Sequence, residues 1–127
     1  MPRLVRLLAP LALIAMFTLL PATSSAAAPG AEAAKRCGVK RSEQRGLEAT
    51  YVFRITVRRI TCRGGKRLIS SFNACRRRNG GRDGRCRRVS GYRCGERRFN
   101  KSRFSFDSNA TCKRGGRSVS FQYQQNL

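Results

Sequence analysis

All six cysteines of the chain, Cys37, Cys62, Cys75, Cys86, Cys94 and Cys112, fall in its last 91 residues, and the 127-residue sequence carries a formal charge of +22. The two facts belong together. A charge that large on one small domain repels itself and works against a compact state. A fold built from this chain therefore needs cross-links, bound anions, or both. Metal ligation suits the cysteines poorly, because no pair has CxxC spacing and the chain lacks histidine. A structural zinc would need four thiolates at irregular intervals. An even number of cysteines in an oxidising compartment instead predicts three disulfides, each worth about 2–4 kcal/mol through restriction of the unfolded chain. Spacing does not choose the pairing. A local Cys75–Cys86 bridge is one candidate, since it closes the basic loop between them.

The N-terminus supplies the compartment. Arg3 and Arg6 precede an apolar run from Leu7 to Leu20, followed by Thr23, Ser24 and Ser25 and the small residues Ala26, Ala27 and Ala28. This is the order of a cleavable signal peptide. The run is shorter than the roughly 20 apolar residues that span a bilayer comfortably. Ala31-Glu32-Ala33 offers a second cleavage point. The sequence thus divides into a signal peptide over 1–28, a flexible N-terminal arm over 29–48 and a single small domain over 49–127. The expected destination is outside the cell, either free or associated with the cell wall.

Within the domain, Thr50 to Cys62 reads as a strand in which Tyr51, Phe53, Ile55 and Val57 alternate with Val52, Arg54, Thr56 and Arg58. Ile60 and Cys62 fall out of phase, which predicts a bulge near Arg58-Arg59. Leu68, Ile69, Phe72 and Cys75 recur at helical spacing, with Thr61 as a potential cap. Gly64-Gly65 costs about 1 kcal/mol per glycine inside a helix and equally suits a hairpin turn. The favoured reading is a helix from near Lys66. Residues 76–88, with Asn79-Gly80-Gly81 and Asp83-Gly84, read as a loop, and 89–94 as a short strand. Phe104 and Phe106, then Val119, Phe121 and Tyr123, alternate with polar residues on either side of Gly115-Gly116, the pattern of a hairpin with one aromatic face. The whole predicts an α+β, disulfide-stabilised domain with one helix packed on a small antiparallel sheet. Tyr51, Phe53 and Phe104 are among the residues expected in its core.

Ile60-Thr61-Cys62, Gly91-Tyr92-Arg93-Cys94, and Ala110-Thr111-Cys112 running to Arg117-Ser118-Val119-Ser120-Phe121 resemble segments of a family of small, secreted, cysteine-containing actinobacterial proteins. The resemblance spans about residues 50–123. It implies the fold and the export route and no activity or site residue. Cys37, Cys75 and Cys86 are additional to that pattern. With a bacterial source implied, the sequons at Asn100 and Asn109 are chance matches.

The chemistry is bounded mainly by what is missing. Without histidine there is no Ser-His-Asp or Cys-His catalysis and no His-ligated metal, and oxidised cysteines are not nucleophiles. Glu96 and Asp107 are the carboxylates available to meet across a cleft, but each has arginine neighbours to pair with. The expectation is a non-enzyme with no cofactor, metal or catalytic residue. What remains is charge. Removal of Arg3 and Arg6 with the leader leaves 21 arginines against 5 lysines, and arginine's planar fork binds phosphate or carboxylate bidentately. Ten arginines are the candidate anion-binding set: Arg54, Arg58 and Arg59 on the first strand, and Arg76, Arg77, Arg78, Arg82, Arg85, Arg87 and Arg88 in the following loop. The partners expected are anionic polymers: cell-wall polymer, anionic lipid surface or nucleic acid. The competing reading is a cationic antimicrobial or membrane-active protein, which needs exposed apolar groups beside the charge. A protease inhibitor presenting the Cys75–Cys86 loop is a further one.

Overall fold

The structure is a computed structural model that describes residues 32–127. The expected leader lies outside the described residues. Six strands form one antiparallel sheet: β1 (Lys35–Cys37), β2 (Tyr51–Arg58), β3 (Arg88–Val89), β4 (Tyr92–Phe99), β5 (Ser105–Arg114) and β6 (Arg117–Asn126), in the order β1-β2-β6-β5-β4-β3. One α-helix, α1 (Cys62–Arg78), crosses over between β2 and β3 and covers one face. The architecture is the expected α+β one, with three disulfides: Cys37–Cys62, Cys75–Cys86 and Cys94–Cys112. Two of them fasten α1, its start to β1 and its end to the segment before β3. The third joins directly opposed residues of β4 and β5.

Helix α1 begins at Cys62, four residues earlier than the glycine pair suggests. Thr61 caps it, its hydroxyl accepting from the Gly64 amide at 3.1 Å. The glycines are inside the helix because the helix lies tight on the sheet. A Cβ at Gly65 would stand 2.7 Å from Val57 Cγ1. The backbone cost of glycine is offset by that close approach. From there Leu68, Ile69 and Phe72 enter the core, and the Phe72 ring meets Phe121 edge-on at 5.5 Å and Tyr123 at 6.3 Å. Burying a side chain of this size stabilises by about 1.5–3 kcal/mol.

Strand β2 differs from its predicted phase. The bulge lies between Phe53 and Thr56, where Arg54 takes φ 41°, and not at Arg58-Arg59. One extra residue reverses the side-chain alternation. Val52, Ile55 and Val57 therefore all point inward and are buried, while Tyr51 and Phe53 point outward. Phe104 also leaves the expected core, in the connection before β5.

The segment 29–48 is not a loose arm in its described part. Its β1 pairs with β2, and Arg41–Leu47 forms a 3-10 helix whose Leu47 is buried and whose end is held by Asn73 Nδ2 donating to the Leu47 carbonyl at 2.8 Å. Residues 76–78 finish α1 instead of opening the loop, and the short strand expected over 89–94 becomes β3, a tight turn and an eight-residue β4.

Candidate functional site

The pleat divides the side chains of the central strands between two unlike environments. On the helix-facing side lies a buried polar cluster. Glu96 on β4, 4 % exposed, accepts at one oxygen, Oε1, from Arg98 Nε at 2.5 Å, from the Tyr123 hydroxyl at 2.6 Å and from the Ser108 hydroxyl at 3.3 Å. Its Oε2 is buried with no hydrogen-bond donor. Arg98 also donates to the Asp83 carboxylate and the carbonyls of Asp83 and Gly84, and it lies over the Phe106 ring at 4.0 Å. Arg76 of α1 is fully buried. It donates to Asn73 Oδ1, Gln125 Oε1 and the carbonyls of Arg82 and Gly84, with its guanidinium 4.6 Å above the Tyr123 ring. Gly84 is required here, since a Cβ would fall 1.9 Å from the Arg76 carbonyl oxygen.

Burial pushes the Glu96 carboxyl up, but hydrogen bonds from Arg98 and Tyr123 and the charges of Arg98 and Arg76 outweigh it and hold the group below the usual carboxylate range. Burial raises the Tyr123 phenol well above its ordinary value, against the pull of Arg76 and with the help of the Glu96 hydrogen bond. For Arg76 burial dominates and lowers the value. For Arg98 the burial penalty is exceeded by the hydrogen bond and charge of Glu96, and the net shift is upward. Apart from Glu96 Oε2, the buried side-chain polar atoms of the cluster have internal partners. Asp107 does not join it: it lies on the other face, accepting from Asn100 Nδ2 at 2.8 Å. The two carboxylates that the sequence offered as a pair are separated by the sheet.

The other face of the sheet is not covered by any described element. The strand registers assemble its side chains into rows. At one end Arg58, Ser118, Lys113, Arg93 and Arg88 stand side by side across β2, β6, β5, β4 and β3. At about 4.8 Å between strands the row is about 19 Å wide. All four cations are exposed, and none is in an ion pair among the described residues. The acidic side chains have other partners: Glu32 with Arg59, Glu43 with Lys66, Glu48 with Arg77, Asp83 and Glu96 with Arg98, and Asp107, on this same face three rows away, with Asn100. Behind the row come Arg36, Thr56, Ser120, Thr111 and Gly95. Next are Phe53, Gln122, Asn109 and Arg97, and last Tyr51, Gln124, Asp107 and Phe99. Beside the cation row, a depression of about 990 Å³ at the start of α1 is lined by Lys35, Arg59, Arg114 and Arg117, together with the acidic Glu32.

The ten arginines singled out from sequence are divided by this geometry. Arg76 is taken by the fold and presents nothing to an outside anion. Arg77 pairs with Glu48. Arg59 and the 77–87 group lie near opposite ends of α1, a helix about 25 Å long, so they do not merge into one patch. Arg58 and Arg88 come from the two groups and meet on one row, completed by Lys113 and Arg93, which sequence reasoning missed. Their proximity exists only through the strand registers. Arg54 stands exposed at the β2 bulge, and Arg78, Arg82, Arg85 and Arg87 are exposed on the helix end and loop.

Among the described residues no helix is long and apolar enough to cross a membrane, and no group of His, Cys, Asp or Glu is arranged to hold a metal ion. Comparison with protein-family models, with curated proteins and with solved structures returns no match.

Proposed function

We propose that this is a secreted binding protein whose open sheet face docks on anionic polymers outside the cell or at its surface. The observation that carries the reading is the row Arg58–Lys113–Arg93–Arg88. Arg93 stands directly opposite both Lys113 and Arg88, and like charges directly opposed across strands destabilise a sheet. The chain keeps that cost on its surface while its acids serve elsewhere, and a polymer of phosphates or carboxylates laid along the row would remove it. The internal engagement of the buried cluster supports a binding role over a catalytic one, since Glu96 Oε1 and the Arg98 guanidinium are bonded to each other and to the loop, and burial closes off Glu96 Oε2. Titration of the oxidised protein against duplex DNA across a salt series tests the proposal. Each phosphate neutralised contributes about −0.9 to the slope of log K against log salt, so four row cations predict a slope near −3.6 or steeper. Weak binding abolished at physiological salt, where screening acts over about 8 Å, would reject it.

A further inference from the structure

Charge alone would attract any polyanion, but the sheet face carries more than charge. Its far rows hold Tyr51 and Phe53, which are 52 % and 40 % exposed and stack on each other with centroids 6.4 Å apart and planes 22° from parallel. They are outward because of the Arg54 bulge, which places exposed Arg54 next to Phe53 in the chain, while Arg97 stands in the row of Phe53 across the sheet. In the same rows as the aromatics stand the amides of Gln122 and Asn109, beside Phe53, and of Gln124, beside Tyr51, whose side chains take no part in any hydrogen bond among the described residues. An amide carries both donors and an acceptor.

We infer that the occupant of this face is single-stranded nucleic acid, with unpaired bases on Tyr51 and Phe53, base edges against the Gln122, Gln124 and Asn109 amides, and the phosphate chain on Arg54, Arg97 and the cation row. This deepens the polyanion reading above and rests on it. Charge complementarity excludes a neutral or basic protein as occupant, and an acidic one would use the cations but brings no run of flat π-faces to the aromatic pair. A uronic polymer uses the cations but has no flat π-face for the aromatic pair. A duplex keeps its base faces stacked and its pairing edges occupied, so it reaches only the cations. An unpaired strand uses all three kinds of group, as strand-face aromatics do in sequence-tolerant single-strand binders.

The test compares a fluorescein-labelled oligothymidylate, its duplex with oligoadenylate, and polygalacturonate, all titrated against the purified oxidised protein at physiological salt. The single strand is expected to bind tightest. The double variant Tyr51→Ala/Phe53→Ala is expected to lose about tenfold or more of single-strand affinity. The same variant should stay within about twofold for the duplex and the polyuronate, as an exposed substitution remote from their contacts would. Near-ultraviolet circular dichroism and intact disulfides report that it is folded. Because the chain has no tryptophan, tyrosine emission reads the contact directly: Tyr92 and Tyr123 are buried, so quenching by the single strand reports Tyr51. Equal affinity for all three polymers, or a folded double variant that binds the single strand as well as the parent, overturns the inference and leaves the polyanion reading standing. Failure to bind any of the three overturns both.

Discussion

The two faces of one sheet use arginine in opposite ways. On the inner face, Arg98 and Arg76 are buried, paired with Glu96 or bonded to carbonyls, and stacked on aromatic rings. On the outer face of β4, Arg93 and Arg97 are exposed and have no acidic partner among the described residues. The inner guanidiniums are structural elements that tie β4, α1 and the 79–87 loop together, and removing a partner strands a charge. The outer ones add repulsion to the folded state. Arginine content therefore says little by itself about binding: the fold has to be consulted for which side of the pleat each residue occupies.

The comparison is broken most severely from the inside. Glu96→Ala leaves Arg98 and Arg76 without their buried carboxylate and should cost about 3–5 kcal/mol, read as a lower denaturant midpoint with an unchanged slope. Acid should reproduce part of that loss in the parent. The folded-state pKa of Glu96 is depressed, so its contribution is complete above the unfolded value of about 4.3 and disappears as pH falls through the folded value. Stability measured from pH 6 downward should fall below about pH 4, and the Glu96→Ala protein should fall less over the same range. Tyr123→Phe removes one hydrogen bond to that carboxylate and should cost about 2 kcal/mol. The outer face should respond with the opposite sign. Arg93→Ser/Lys113→Ser relieves a directly opposed cation pair and should raise stability by about 0.5 kcal/mol, while flattening the salt slope of duplex binding by about 1.8. A double variant that lost stability as the inner substitutions do would show that the row is engaged within the protein.

The legible parts of the sequence were those whose signals are local. The β5–β6 hairpin is written in the alternation of Phe106, Val119, Phe121 and Tyr123 about Gly115-Gly116, and the helix in Leu68, Ile69 and Phe72. The start of α1 was hidden because Gly64-Gly65 is unfavourable in a helix until Val57 is known to press against it. The Arg54 bulge was hidden because nothing in the residues distinguishes it from a slip four positions later, and that displacement moved Tyr51 and Phe53 from the core to the surface. Arg76 sits in a run of three arginines that reads as solvated, and only the tertiary fold turns its side chain inward onto Gln125 and Gly84. The cation row was invisible for a different reason: Arg58, Arg88, Arg93 and Lys113 are neighbours in register and not in sequence.

The placement of Cys75–Cys86 has a consequence for survival. The segment it encloses presents Arg82 and Arg85 to solvent, within reach of an enzyme that cuts after arginine. A cut there divides the chain into two pieces, each with one further disulfide of its own, Cys37–Cys62 or Cys94–Cys112. The bridge Cys75–Cys86 still joins them, and β2 and β6 remain paired across the break. The nicked protein would migrate as one species on a denaturing gel until a reductant is added, then as two.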